Sequence, residues 1–278
     1  MHPLLVILGG GNMARAIVSG GLRAASLHPD RVALADPDST KLPHFRSLGI
    51  HTFTSPGAAL AHFPSSSVPQ LLLAVKPQSF NALADDIAPT LGPARRTVIS
   101  IMAGVHSSRI RTLLSRNGTP IAVVRSMPNL PAQIGEGATA LALGDGASTG
   151  DEAFASSIFQ GLGPIVLHTQ EHMIDAFTAL AGSGPAYLFY LAEAMTAAAE
   201  RMGFSPQDAR DCTAQTLKGA ALMLAASTSS PADLRAAVTS KGGTTQAATE
   251  VLDSRLVKDA LVDAILAAEK RGQSLANS

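Results

Sequence analysis

"LLVILGGGNMARAI", residues 4–17, decides the fold. A continuous apolar run, Leu4 to Leu8, reads as a strand buried on both faces. Gly9-Gly10-Gly11-Asn12-Met13-Ala14 then stands at the opening of an amphipathic stretch running to Ala25. This is G-x-G-x-x-A between a strand and a helix. Gly9 permits the tight turn, Gly11 lets the backbone approach a pyrophosphate, and Ala14 is small enough for close helix–strand packing. The N-terminus of the helix offers unpaired N–H groups and a positive dipole end to phosphates.

The pattern continues outward from this unit. "RVALAD" (31–36), "HTFT" (51–54), "QLLLAV" (70–75), "TVISI" (97–101), "IAVVRS" (121–126), "ATALAL" (138–143) and "PIVLH" (164–168) read as strands. Helical stretches lie between most of them, among them 79–91, where Ser79 is a candidate N-cap. Such alternation predicts an α/β Rossmann fold, doubly wound on a mostly parallel sheet. Beyond about residue 166 the strands stop. The remainder reads as helices at 172–202, 205–227, 230–238, 244–253 and 255–273. The expected domains are therefore 1–166, binding a dinucleotide, and 167–278, all helical.

Composition narrows the function. The chain has 278 residues, 46% hydrophobic, without Trp. Lys plus Arg and Asp plus Glu are equal at 21 each, so no basic excess points to nucleic acid. No apolar run is long enough for a spanning helix, and the N-terminus lacks the basic region of a signal peptide. The one cysteine, Cys212, is expected as a small buried hydrophobe and fits a reducing, cytoplasmic setting. Scattered histidines offer no metal site.

Two stretches stand out in the helical half. "LAGSGPAY" (180–187) places two glycines and a proline inside an otherwise continuous helix, an expected bend or close approach. Helix 186–200 is apolar or Ala-rich almost all round, which a domain of this size has little interior to bury, so a subunit interface is expected. "TSKGGTTQAATEVL" (239–252) sets Gly242 and Gly243 before a helix start at Thr244–Thr245, with Ser240 close by. Exposed N–H groups and hydroxyls at a helix N-terminus make a carboxylate site; a capped helix start is the plainer alternative. Asp36, at the end of the second strand, either bonds a ribose 2′-hydroxyl and disfavours a 2′-phosphate, or opens the turn "DPDS".

"GGGNMARA" (9–16), "AVKPQ" (74–78), "SIMAGV" (100–105), "RSMPNLPA" (125–132), "GSGPAYLF" (182–189) and "VTSKGGTTQAA" (238–248) follow one another in the order seen in pyrroline-5-carboxylate reductases, and the chain resembles that family along nearly its whole length. The resemblance implies NADPH- or NADH-dependent reduction of 1-pyrroline-5-carboxylate to L-proline by a homodimer, assembled in some members into a ring of dimers. It implies a cofactor site at Gly9, Gly10, Gly11, Asn12, Met13 and Ala14, at Ala74, Val75, Lys76 and Pro77, and at Ile101, Met102, Ala103 and Gly104. It implies a substrate site at Ser240, Gly242, Gly243, Thr244 and Thr245, with Glu171 as a further candidate. Thr245 is the candidate catalytic hydroxyl, and no metal is involved. Lys241 stands where the family often has Pro. A β-hydroxyacid dehydrogenase would share the two-domain plan but needs a catalytic Lys on a helix of the second domain, for which Lys218 is the interior candidate. A dinucleotide-sensing regulator would need only the first domain.

Overall fold

The computed structural model describes residues 3–64 and 66–276. Eight strands form one sheet: β1 (Leu5–Leu8), β2 (Val32–Ala35), β3 (His51–Phe53), β4 (Gln70–Leu73), β5 (Arg96–Ser100), β6 (Ile121–Pro128), β7 (Ala138–Leu143) and β8 (Ile165–Thr169). Their order is β3-β2-β1-β4-β5-β6-β7-β8. The first six run parallel; β7 pairs antiparallel with β6, and β8 runs parallel with β7. Winding reverses between β1 and β4, so a crevice opens at the C-terminal ends of those strands.

Residue alternation explains why the apolar runs became strands. Leu5 and Ile7 enter one core with Ile17, Leu34, Leu72 and Ile99. Val6 and Leu8 enter the opposite core with Leu71, Leu73, Phe80 and Val98. With a side-chain period of two, both faces of β1 are buried, so the strand reads as one continuous apolar run. The helices of this layer are α1 (Asn12–Arg23), α2 (Leu42–Ser47), α3 (Pro56–Leu60), α4 (Phe80–Ile87), α5 (Ser107–Leu114) and α6 (Ala153–Gln160). Ser79 precedes α4 but its side chain makes no capping hydrogen bond; a 3-10 turn, Pro77–Ser79, leads into the helix instead.

The helical half holds α7 (Met173–Phe177), α8 (Gly184–Arg201), α9 (Pro206–Ala226), α10 (Pro231–Ala237), α11 (Thr244–Ser254) and α12 (Val257–Ala276). A π-helical turn, Thr178–Gly182, runs into the start of "LAGSGPAY", and in it Ser183 N–H donates to Thr178 O at 2.8 Å. That turn takes one residue more than an α turn. Asn129, at the end of β6, donates from Nδ2 to Ala181 O (3.1 Å) and accepts from Ala138 N–H (2.9 Å), joining the π turn to β7.

The chain divides into two compact units, residues 1–183 with 268–278, and residues 184–267. In the second unit only Ala209 and Thr213 are fully buried among the described residues. Every residue of α8 is at least partly exposed, with Tyr190 at 74%. Cys212 is exposed as well, contrary to the expectation of a buried thiol: it lies on a face of α9 that the single chain leaves uncovered.

Asn129→Ala strands a part-buried carbonyl and a part-buried amide, each costing about 1–3 kcal/mol when left unpaired. Urea denaturation is expected to show a loss of at least about 2 kcal/mol, and a variant as stable as the parent would show that water replaces both bonds.

Candidate functional site

The dinucleotide crevice is assembled from four strand ends. Gly9 has φ +109°, and a Cβ there would meet Ala74 O at 2.5 Å, so only glycine lets β1 turn beside the end of β4. Gly9 N–H donates to Ala35 O. Gly11 is the N-cap residue of α1 in extended conformation, and a Cβ there would meet nothing within 4 Å. That open space is where a phosphate can approach. The amides of Asn12, Met13 and Ala14 form the first turn of α1, and among the described residues none has an acceptor. Ala14 itself is buried against the core, and a cavity of about 280 Å³ lined by Asn12, Arg15, Ala16, Ser19, His44 and Gln133 flanks the turn. Ala74, Val75, Lys76 and Pro77 follow β4; Ile101, Met102, Ala103 and Gly104 follow β5, with Gly104 at φ +66°. Met102 and Gly104 are buried, and Lys76 and Ala103 are exposed. The residues therefore fit a dinucleotide: unpaired amides, a side-chain-free approach and partly exposed strand ends converge.

Asp36 is only 4% exposed. Its Oδ2 accepts from Gly10 N–H at 2.7 Å, its Oδ1 accepts from Asp38 N–H at 2.9 Å, and Lys41 Nζ lies 3.1 Å from both oxygens. Both sequence readings of Asp36 therefore meet a third role. It opens its turn through Asp38, and it also clamps the glycine loop to the end of β2.

Glu171 is equally committed. Its carboxylate accepts from Ser107 N–H at 2.8 Å and from the Ser107 hydroxyl, and Arg125 Nη1 lies at 3.3 Å. Arg125 is 1% exposed and also faces Asp175 at 3.7 Å. Burial works to raise the Glu171 pKa, but the hydroxyl and amide of Ser107 and then the Arg125 charge outweigh it, so the net shift is downward. "RSMPN" thus carries structural bonds that its spacing gave no sign of: Arg125 to the two carboxylates, Ser126 to Ser100 O, and Asn129 to the π turn. A cavity of about 820 Å³ lies beside Glu171, lined also by His168, His172 and Met173, by β7 and β8 and away from the glycine loop.

In the helical unit, Gly242 has φ +74° and Gly243 is the N-cap of α11, without a side-chain cap. Gly242 N–H donates to Gln246 Oε1 (2.7 Å) and Gly243 N–H to Ser240 O (3.0 Å), so neither amide is available to a ligand. The open donors are one step further on, the N–H groups of Thr244, Thr245 and Gln246, which have no acceptor among the described residues. The Ser240, Thr244 and Thr245 hydroxyls are likewise uncommitted, so none of them serves as the helix cap. Lys218 sits exposed on α9.

Two outcomes follow. Asp36→Ala removes the clamp on Gly10, and losing charge-assisted bonds of about 1.5–3 kcal/mol is expected to weaken NADH and NADPH together, about tenfold or more, in titrations of nucleotide fluorescence. A loss confined to NADH would place the carboxylate on the ribose instead. Glu171, with its pKa lowered on folding, adds stability that is full above its unfolded value and disappears as pH falls through the folded one. Acid unfolding curves below about pH 4.5 are therefore expected to be shallower for Glu171→Gln than for the parent.

Residues 171–275 match the family model for the pyrroline-5-carboxylate reductase dimerisation domain, and residues 4–104 match that described as NADP oxidoreductase, coenzyme F420-dependent. A pyrroline-5-carboxylate reductase of Pseudomonas aeruginosa is 35% identical over 275 residues, covering 99% of this chain and 97% of the relative. One from Thermus thermophilus is 35% identical over 283 residues, covering 99% of each. The solved pyrroline-5-carboxylate reductase of Coxiella burnetii superposes with a TM-score of 0.86 at 33% identity, covering 100% of both chains. With unpaired amides at both helix starts and this likeness along its full length, the chain belongs to the pyrroline-5-carboxylate reductase family.

Proposed function

We propose that this chain reduces 1-pyrroline-5-carboxylate to L-proline, the last step of proline biosynthesis, in the cytoplasm, with NADPH or NADH as reductant. A bound nicotinamide dinucleotide supplies the hydride. The Gly11–Ala14 backbone holds its pyrophosphate, and Ala74–Pro77 and Ile101–Gly104 line its path. Residues 1–166 carry this work; residues 167–278 carry dimerisation and substrate binding. The substrate carboxylate is held by the Thr244, Thr245 and Gln246 amides and the Ser240 hydroxyl. The Thr245 hydroxyl hydrogen-bonds the ring nitrogen; the imine enters protonated from solvent as an iminium, so hydride addition to its carbon turns C=N into C–N and leaves the N–H in place. Glu171, its charge met by Arg125, fixes the start of α5. The single observation that carries this reading is the presence of two separate anion cradles, each made of unpaired helix-start amides, one suited to a pyrophosphate and one to a carboxylate.

The exposed apolar face of α8, with Leu188, Phe189 and Leu191, is the homodimer contact, since a stretch this apolar is costly to leave in water. Rings of dimers are the larger assembly implied by the resemblance.

NAD(P)H oxidation followed with pyrroline-5-carboxylate, with a β-hydroxyacid system, and with neither tests the reaction; turnover is expected only with the imine. Thr245→Ala is expected to lower kcat/KM for the imine about 10- to 100-fold, the scale of a lost bond to a charged group, with cofactor affinity unchanged. Weakened NAD(P)H binding with unaffected imine kinetics would move the loop to the cofactor. Sedimentation should give a dimer at micromolar concentration; a concentration-independent monomer would remove α8 from any interface.

A further inference from the structure

At the N-terminal edge of the sheet, opposite the cofactor loops, a cavity of about 440 Å³ is lined by Leu60, Phe63, Ser67, Thr90, Leu91 and Arg96 among others. Arg96 opens β5, and the cofactor loop Ile101–Gly104 follows the other end of that strand, roughly 16 Å away at about 3.3 Å per residue. Arg96 is 7% exposed. Of its five N–H donors, one on Nη1 reaches Pro69 O (2.6 Å) and one on Nη2 reaches Leu91 O (3.1 Å), while Nε is buried without an acceptor. No carboxylate pairs with it among the described residues, and burial alone lowers its pKa. Two carbonyl dipoles compensate part of the guanidinium charge. A buried charge without a counter-ion still costs several kcal/mol, and a fold that keeps one beside a cavity has a place for an anion.

The lining selects the anion. Leu60, Phe63, Pro64, Pro69 and Leu91 are apolar, and the Thr90 hydroxyl already donates to Ile87 O. Among the lining side chains Arg96 and Ser67 are then the donors left to a ligand, a set that suits one carboxylate better than a phosphate dianion stripped of water. We propose that this cavity binds a small organic monocarboxylate, its charge paired with Arg96 and its apolar body packed against Leu60, Phe63 and Leu91. The site is separate from the reductase chemistry and does not depend on it.

The chain has no Trp, so Leu60→Trp places at the cavity a single tryptophan, read apart from the two tyrosines by excitation at its red edge. Titration of this variant with sodium butyrate, at ionic strength fixed with NaCl, is expected to give a saturable emission change. Butyramide, of the same shape without the charge, should bind at least tenfold more weakly, as should inorganic phosphate. Leu60→Trp/Arg96→Met should lose the butyrate response. The proposal is overturned if butyrate produces no saturable change, if butyramide matches it, if phosphate binds more tightly than butyrate, or if the Arg96→Met change leaves the response intact. The butyramide and phosphate comparisons need only the Leu60→Trp protein, so they decide the question even if the double variant does not fold.

Discussion

The bond from Gly10 N–H to the Asp36 carboxylate is the constraint on which the first half of the molecule turns. Together with the bond from Gly9 N–H to Ala35 O, it joins the loop after β1 to the end of β2. Lys41 neutralises the carboxylate from outside, and Asp38 N–H fixes its second oxygen. A charge this deeply buried is tolerable only because every lone-pair direction toward the protein has a donor. With the loop held, the α1 amides point into the crevice before any ligand arrives, so binding need not order them.

Much of this was legible in the sequence because it rests on periodicity and on glycine. Continuous apolar runs marked β1, β2, β4 and β6, and Gly9 marked the turn that no side chain can make. The helix start after Gly242-Gly243 was legible for the same reason. Other features were hidden because they depend on partners distant in the chain. Asp36 stands 26 residues from Gly10 and Glu171 stands 64 from Ser107, and no local pattern links such pairs. The antiparallel setting of β7 was hidden too, since a strand buried on both faces reads the same in either direction.

The loop before α11 shows a subtler limit. Sequence named glycines and threonines alike as donors; in the structure the Gly242 and Gly243 amides close the turn itself, which leaves the amides of Thr244, Thr245 and Gln246 open. The glycines shape the cradle; the threonines and Gln246 furnish it. A substitution at either position would therefore be felt for different reasons, one through backbone conformation and the other through lost donors.

The thin interior of the helical unit has a consequence for how the protein comes into being. A segment of 84 residues with only Ala209 and Thr213 fully buried among those described cannot hold itself together by its own core, because ordering each residue costs about 1–2 kcal/mol of chain entropy. In the homodimer proposed above, its folding is coupled to meeting a second copy. Dilution acts on such a protein as a denaturant does, and its melting temperature rises with concentration. In such a dimer, newly made chains pass through a stage in which the first unit is folded while these 84 residues wait for a second copy, so local abundance bears on the yield of active enzyme.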